Sequence, residues 1–144
     1  MERFVAERLL RFSDCDPSGI AYFPAYLNLL NGVVEDFWEF VGCSLTQLIK
    51  GRGIGTPTVQ LDCQFARPAL FGERLTFALR VVKLGRSSLH IAHEIAGIDG
   101  VKWTARQVLV ATSLREHRPI PWPDDLRASL ERRFPKLSAE PPTK

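Results

Sequence analysis

The stretch that decides the fold is DCDPSGIAYFPAYLNLLNGVVEDFWEFV, residues 14–41. In its second half, apolar residues recur at helical spacing from Leu27 to Val41, and a narrow polar stripe runs between them. Pro24 suits the first helical turn, where a missing N–H costs nothing, and Gly42 suits the C-terminal stop. The pattern predicts a helix from Pro24 to Val41 that is mostly buried, because its apolar arc is wide.

The first half, DCDPSG, forms a turn ahead of this helix. Asp16 precedes a proline, which pushes its backbone into an extended conformation, and Gly19 allows a tight turn. The turn therefore brings a carboxylate to a helix N-terminus, whose free N–H groups and dipole stabilise negative charge. A carboxylate and an amide donor that face one carbonyl could perform acyl transfer. From composition and spacing alone, an Asx turn that opens a helix remains the simpler explanation.

Three other kinds of site fit the sequence poorly. A calcium loop that starts at Asp14 would need a bidentate glutamate at its twelfth position, which is Ala25. Phosphoryl transfer would need a lysine and further carboxylates on a parallel sheet, whereas the downstream segments look antiparallel. A histidine metal site fails because His90 and His93 point to opposite faces of a strand, and His117 lies beside a proline-rich loop. We therefore expect no metal and no organic cofactor.

The rest of the chain reads mainly as strands, predicted at residues 3–12, 56–66, 73–84, 87–97 and 102–115. The sequence IDG, residues 98–100, signals a hairpin turn. A short helix is predicted over 44–50 and a terminal helix over 124–134, with Asp124 or Asp125 as its N-cap. One long helix after the first strand, followed by a four-strand antiparallel meander, predicts an α+β fold whose sheet wraps the helix.

Composition limits the class of protein. With 144 residues, of which 45% are hydrophobic and 24% charged, the chain should form one ordinary globular domain. No stretch reaches the ~20 apolar residues needed to cross a bilayer, and Glu2 and Glu7 argue against a signal peptide. Three cysteines without CxxC spacing favour a reducing, cytoplasmic compartment.

The charge is unevenly spread along the chain. Residues 1–72 carry six Lys/Arg against eight Asp/Glu, whereas residues 73–144 carry thirteen against eight. The basic half favours an anionic partner such as a phosphorylated small molecule, although a solvated basic face would look the same. The sequence lacks the dense basic runs with interleaved aromatic residues that are typical of nucleic-acid binders.

The segment DCDPSGIAYFPAYLNLL resembles the signature of the hotdog-fold acyl-CoA thioesterases, in particular the 4-hydroxybenzoyl-CoA thioesterase family. The likeness continues, in the expected order, through GIGTPTVQLDCQF (53–65), FGERLTF (71–77), GRSS (85–88) and PIPWPDDLR (119–127). It implies one hotdog domain over 1–134, with 135–144 as a flexible tail. It also implies a cytoplasmic acyl-CoA hydrolase that forms a homodimer or homotetramer, with active sites at the subunit boundary and no nucleic-acid or membrane partner.

The resemblance also implies roles for individual residues. Asp16 corresponds to the catalytic acid, as nucleophile or general base, and the Phe23 backbone N–H to the oxyanion donor. Many relatives that act on aliphatic chains have a histidine just after the aromatic residue that follows the motif glycine. This sequence has Tyr22-Phe23-Pro24 there and no histidine, which places the chain nearer the aromatic-acyl branch. The residues expected to line the acyl group are Tyr22, Tyr26, Asn31, Thr56 and Thr58. Those expected near the CoA phosphates are Lys83, Arg86, Ser87 and Ser88.

Alternatives remain open at this point. The chain could act on short or medium aliphatic acyl-CoA or acyl carrier protein, or bind acyl-CoA without catalysis. Asn31 could simply face solvent, Thr56 could simply start a strand, and the turn over 83–88 could be a solvated hairpin. Cys15 is expected to be a packed thiol, because a thiol nucleophile would need a histidine base that its neighbourhood lacks.

Overall fold

The computed structural model describes residues 2–135, so nearly all of the predicted tail lies outside the described residues. The strands and helices are β1 (Phe4–Leu9), α1 (Phe23–Val41), β2 (Ile54–Gly55), β3 (Thr58–Phe65), β4 (Arg74–Leu84), β5 (Ser88–Gly97), β6 (Gly100–Val110), β7 (Thr112–Ser113), β8 (Arg118–Pro119) and α2 (Asp124–Arg133). A 3-10 turn covers Phe12–Asp14 and a single π-helical turn covers Gln47–Gly51. The predicted α+β arrangement is confirmed.

Helix α1 matches its prediction to within one residue. It ends at Gly42, whose φ of 109° lies in the left-handed region that glycine adopts most easily. The amide of Gly42 donates to the carbonyls of Trp38 and Glu39 and so closes the last turn. The buried face of α1 consists of Tyr26, Leu30, Val33, Val34, Phe37, Trp38 and Val41. This apolar face packs against the sheet and forms the core of the domain.

The strand order in the main sheet is β1-β4-β5-β6-β3, with every pair antiparallel. The predicted four-strand meander is therefore wrong, since only β4, β5 and β6 follow one another. Strand β3 crosses to the far edge and pairs with β6, where Phe65 lies opposite Trp103 and Thr58 opposite Leu109. Alternation along a strand fixes which face is buried but not which strand lies beside it.

Three element boundaries also differ from the predictions. The first strand ends at Leu9, and the chain then enters the 3-10 turn at Phe12–Asp14. The last long strand ends at Val110, and the carbonyl of the next residue, Ala111, accepts from the amide of Ile120. The chain then continues in a small second sheet of order β2-β7-β8. Helix α2 has Pro123 as its N-cap, so Asp124 and Asp125 lie in the first turn rather than at the cap.

The core contains one buried histidine. His93 is buried and His90 is half-buried on the other face of β5, as the strand pattern predicted. The Nε2 atom of His93 lies 2.8 Å from Oε1 of Gln107. Burial lowers the pKa of His93 to about 4, so the ring is neutral at physiological pH. Among residues 2–135, the longest helices are too short or too polar to span a bilayer.

Strand β4 connects two distinct ends of the sheet. The motif turn, residues 14–22, lies beside the first residue of β4. Phe71, three residues before that strand begins, donates its amide to the carbonyl of Gly19 in the turn. Beside the last residue of β4 lies the distal turn, residues 85–87, which joins β4 to β5. The 11 residues of β4 span about 35 Å at the usual rise of a strand. The two turns are therefore at opposite ends of the subunit.

The C-terminal segment holds the distal turn in place. The amide of Trp122 donates to the carbonyl of Arg86, and its indole Nε1–H donates to the carbonyl of Ser88 at 3.1 Å. The Arg127 guanidinium donates to the carbonyl of Gly85 at 2.6 Å. These bonds fix the backbone of the turn, which leaves its basic and hydroxyl side chains as the groups that a ligand could reach.

Candidate active site

The motif turn is closed by its own backbone. The amide of Gly19 donates to the carbonyl of Asp16 at 2.9 Å, and the amide of Asp16 donates to the carbonyl of Ile20 at 3.0 Å. Gly19 has a φ of 81°, which explains the glycine at this position. Cys15 pairs with Ala21 in an isolated antiparallel bridge. Asp16 therefore projects from a tight loop whose two ends lie side by side.

The Asp16 carboxylate is held mainly by Ser18. Its Oδ1 accepts a hydrogen bond from the Ser18 amide at 2.8 Å and another from the Ser18 hydroxyl. These bonds, the hydroxyl first, lower the pKa of Asp16 below its ordinary value. The carboxylate is therefore ionised at neutral pH. Sequence reasoning missed Ser18, although a Ser two residues after an Asp is the spacing of an Asx turn.

Asp14 and Cys15 of the motif have structural partners. The Cys15 thiol donates to the carbonyl of Arg11 at 3.4 Å. The Asp14 carboxylate accepts from the Arg11 amide at 2.9 Å, and its carbonyl accepts from the Tyr22 amide at 2.8 Å. Burial, followed by the charges of Asp14 and Asp16, raises the pKa of the Cys15 thiol. The thiol thus stays protonated, which agrees with a packed cysteine rather than a nucleophile.

Helix α1 begins immediately after the motif turn. Its first amide, that of Phe23, has no acceptor within the helix, and the next residue, Pro24, has no N–H at all. The amide of Ala25 donates to the carbonyl of Tyr22 at 2.8 Å. The Phe23 amide is therefore a donor at the positive end of the helix, seven positions after Asp16 along the chain.

An apolar groove of about 290 Å³ opens beside this helix start. It is lined by Ile20, Ala21, Phe23, Tyr26, Phe65, Ala66, Arg67 and Pro68. Beneath it, the ring of Phe65 stacks on Trp103 with centroids 5.4 Å apart, and Tyr26 contacts both rings at 5.1 Å. The Tyr26 hydroxyl accepts from the Ala69 amide at 3.2 Å. The hydroxyl is thus tied to the backbone, and Tyr26 lines the groove.

The structure brings some of the predicted site residues together and separates others. Asp16, Phe23 and the rings of Tyr22 and Tyr26 lie at the motif end. Asn31 is exposed on α1, about 12 Å along the helix axis from Phe23.

The remaining predicted residues lie at the distal end of the same chain. They are Thr56 and Thr58 at the start of β3 and Lys83, Arg86, Ser87 and Ser88 around the distal turn. The hydroxyl of Thr58 accepts from the Gln107 side-chain amide at 2.9 Å. Within one chain, these residues do not share a pocket with Asp16.

Within residues 2–135, no three His, Cys, Asp or Glu side chains are grouped so that they could hold a metal ion. The groups that the motif end offers to a substrate are the Asp16 carboxylate, the Phe23 amide and the apolar groove.

A family model described as the thioesterase-like superfamily matches residues 10–130. The chain belongs to this superfamily. The resemblance drawn from the DCDPSG motif is thus confirmed. Among curated proteins, this superfamily member is 27% identical over 117 residues to a 1,4-dihydroxy-2-naphthoyl-CoA hydrolase from Microcystis aeruginosa, covering 80% of this chain and 85% of the relative.

Solved structures agree with the fold. The 4-hydroxybenzoyl-CoA thioesterase from Pseudomonas sp. strain CBS-3 superimposes with a TM-score of 0.81 at 25% identity, covering 90% of this chain and 99% of the other. A 1,4-dihydroxy-2-naphthoyl-CoA thioesterase from Synechocystis gives 0.81 at 23% identity, with 89% and 95% covered. This superfamily member thus has the fold of enzymes named for the hydrolysis of CoA thioesters.

Proposed function

We propose that the protein is an acyl-CoA thioesterase that hydrolyses an aromatic acyl-CoA to the free acid and CoA. In this proposal, residues 1–134 form one hotdog domain, in which the sheet wraps the long central helix α1. One observation carries it. The turn that carries the ionised Asp16 carboxylate leads directly into the helix start, where the Phe23 amide is a free donor and an apolar groove lined by Phe23, Tyr26 and Phe65 opens.

The proposed reaction starts with the thioester carbonyl placed between these two groups. Asp16 either attacks the carbonyl carbon, or takes a proton from a water molecule that attacks it. The negative charge that develops on the carbonyl oxygen is stabilised by the Phe23 N–H. The C–S bond then breaks and CoA leaves as its thiolate. In the first route, water subsequently cleaves the acyl–Asp16 anhydride and restores the carboxylate. Both routes need the ionised form of Asp16.

The acyl group is proposed to be aromatic. The groove is apolar and rimmed by Phe23, Tyr26 and Phe65, and a flat ring would enter it without the loss of rotor entropy that a flexible chain suffers. The relatives named for naphthoyl-CoA and hydroxybenzoyl-CoA support the same class. Asn31 can donate and accept, so it could bind a ring substituent without demanding a 4-hydroxyl group.

A panel of acyl-CoA substrates tests this assignment. We expect kcat/KM for benzoyl-CoA or a hydroxybenzoyl-CoA to exceed that for hexanoyl-CoA by about tenfold or more, since several rotors are frozen in the aliphatic chain. Release of free CoA, followed with a thiol reagent, measures each rate. A preference for hexanoyl-CoA would favour an aliphatic thioesterase, and binding of every substrate without release of CoA would favour a non-catalytic acyl-CoA-binding module.

The active site is proposed to be shared by two copies of the chain. Seven of the eight residues of β3 are exposed, its outer edge is unpaired in the sheet order, and Asp62 is its only charged residue. Such an edge is suited to pairing with another strand. A two-fold axis that pairs β3 with its copy in antiparallel fashion would set the distal end of one subunit beside the motif end of the other.

In this homodimer, or in a tetramer built from it, Asp16 and Phe23 of one copy would work with distal residues of the other. These distal residues are Thr56, Thr58, Lys83, Arg86, Ser87 and Ser88. The arrangement accounts for the predicted site residues that lie far apart within one chain. Free thiols at Cys15, Cys43 and Cys63 suit the reducing cytoplasm, where we propose that the enzyme acts.

The distal turn is proposed to bind the phosphates of CoA, which predicts the effect of Arg86→Ala. Guanidinium and hydroxyl groups suit phosphate oxygens. We expect KM to rise several-fold with a smaller change in kcat, because a contact remote from the carbonyl is made in both ground and transition states. Initial rates at two ionic strengths measure this, since salt should weaken the contact. An unchanged KM with unchanged salt dependence would place the nucleotide elsewhere.

The bonds from Ser18 predict a change in the pH profile. Because Ser18 lowers the pKa of Asp16, the wild-type enzyme should keep its active carboxylate down to acidic pH and lose activity only as pH falls through that lowered pKa. Ser18→Ala removes the hydroxyl bond and should raise the pKa of Asp16 toward its ordinary value. The acid limb of kcat/KM should therefore move to higher pH, while the rate at neutral pH changes little. If the acid limb does not move, the loss of activity at low pH does not come from protonation of Asp16.

A further inference from the structure

The position of the motif turn depends on a loop from another part of the chain. This crossing loop, residues 66–73, joins β3 to β4. The amide of Ala21 donates to the carbonyl of Ala69 at 2.8 Å, and the amide of Phe71 donates to the carbonyl of Gly19 at 2.9 Å. The Ala69 amide also donates to the Tyr26 hydroxyl at 3.2 Å. The crossing loop thus holds both the end of the motif turn and the first turn of α1.

A buried lysine helps to hold the crossing loop, together with the exposed Arg67 side chain, which donates to the carbonyl of Asp99 at 2.7 Å. The Lys102 side chain is only 3% exposed, and its ammonium lies 3.1 Å from a carboxylate oxygen of Glu73 and 2.8 Å from one of Asp99. The same ammonium donates to the carbonyl of Pro68 at 3.3 Å. The main-chain carbonyl of Lys102 accepts from the amides of Ala66 and Arg67, at 2.9 and 3.0 Å.

The far end of the crossing loop is fixed through Glu73. The second oxygen of the Glu73 carboxylate accepts from the Leu70 amide at 3.0 Å. The Glu73 side chain is 10% exposed, so its charge is paired in a confined space. A Cβ atom at Gly97 would lie 2.7 Å from Cε of Lys102 and would overlap the Glu73 carboxylate. Gly97 therefore leaves room for this ion pair directly beside the strand.

Lys102 has no contact with Asp16, Phe23 or the groove lining other than the backbone of residues 66–68. Burying an ammonium and a carboxylate is costly, and well-packed apolar residues often stabilise a fold equally well. The ion pair does fix a geometry. The ammonium binds the Pro68 carbonyl near one end of the crossing loop and the Glu73 carboxylate at the other, and so holds both ends relative to β6. The loop in turn is bonded to both the motif turn and the first turn of α1.

We propose that Lys102 is a positioning residue for the active site. Through Pro68, Glu73 and Asp99 it holds the crossing loop, and through that loop it holds Asp16 in register with the Phe23 amide. The catalytic part of this inference rests on the proposed thioesterase function. The mechanical part, that Lys102 orders the loop and the motif turn, does not.

The experiment compares the wild type with the double variant Lys102→Met/Glu73→Gln. Changing Lys102 alone would strand the buried Glu73 charge and endanger folding, whereas the double variant removes both charges and keeps an acceptor for the Leu70 amide. We expect hydrogen exchange in residues 17–23 and 66–73 to become at least tenfold faster. With benzoyl-CoA, kcat should fall at least tenfold while KM stays within about threefold, since the proposed CoA contacts lie at the distal turn.

Two further variants complete the experiment. Lys102→Arg keeps a cation and several donors at this position, so it should retain most of the wild-type kcat. Arg52→Met/Asp125→Asn removes another ion pair, with N–O distances of 2.9 and 2.8 Å, that does not touch the crossing loop. This matched variant should leave exchange in both segments and kcat unchanged.

Three results would overturn the proposal. Unchanged exchange in residues 66–73 of the double variant would show that Lys102 does not order the loop. Equal acceleration of exchange throughout β4, β5 and β6 would show general stabilisation rather than positioning. Faster exchange with an unchanged kcat would show that the loop does not control catalysis. A wild type without thioesterase activity would instead refute the proposed function, and the exchange data would still decide the mechanical part.

Discussion

Replacing Asp16 by asparagine is expected to lower kcat by about two orders of magnitude or more, because an amide can neither attack the carbonyl nor accept a proton. The fold should survive, since the side-chain oxygen of asparagine can still accept from the Ser18 amide. KM should change far less than kcat, because Asp16 acts on the reacting carbonyl. Release of CoA from benzoyl-CoA measures both constants, and circular dichroism checks the fold.

The neighbouring acid provides the matched control. Asp14→Asn makes the same chemical change in the same motif. The side-chain oxygen of the new asparagine can still accept the hydrogen bond that the Arg11 backbone N–H donates to Asp14 in the wild type. We expect a loss of a few-fold at most. Equal losses at Asp14 and Asp16 would mean that the catalytic role has been given to the wrong carboxylate.

The second large effect is expected from Leu61→Lys on β3. Leu61 is 38% exposed at the edge where two copies are proposed to pair, and charges, lysine above all, protect such edges from pairing. The variant should shift from a dimer or tetramer toward the 16.2 kDa monomer. Activity should fall at least tenfold, because each site would lose the distal residues of the other copy. Light scattering and CoA release measure the two effects.

Ile98→Lys is the control for this variant. Ile98 is 98% exposed at the tip of the β5–β6 hairpin, so the same substitution there places a charge in solvent, away from β3. Its mass and activity should match the wild type. A wild type that is monomeric and fully active at micromolar concentration would refute the shared site.

Local features of the fold were predictable from the sequence, and long-range pairing was not. The span of α1 follows from its apolar spacing and from Gly42, and the β5–β6 hairpin follows from the IDG signal, because these features involve neighbours along the chain. The partner of β3 depends instead on a crossing to β6, some 40 residues later. Nothing in the alternation of a single strand encodes that choice.

The same distinction applies to the candidate site. The sequence predicts that Asp16 and Phe23 lie near each other, because the turn and the helix start adjoin along the chain, and the family resemblance assigns them their catalytic roles. The groove also needs Phe65 from β3 and Trp103 from β6, which meet only through the strand order. Lys102 offered no signal at all. An isolated lysine in an alternating strand predicts a solvated side chain, whereas the structure buries Lys102 and pairs it with Glu73 and Asp99.

The bonds from Trp122 and Arg127 to the distal turn have a consequence for biosynthesis. On the ribosome, β4 and β5 emerge well before these residues, so a nascent chain can pair the two strands while the turn between them is still unbraced. Trp122 also packs against Trp38 of α1, with ring centroids 5.7 Å apart, and the Ser129 hydroxyl donates to the carbonyl of Val41. Because one C-terminal segment makes these contacts, the distal turn and the far end of the helix both gain them only after that segment has been synthesised.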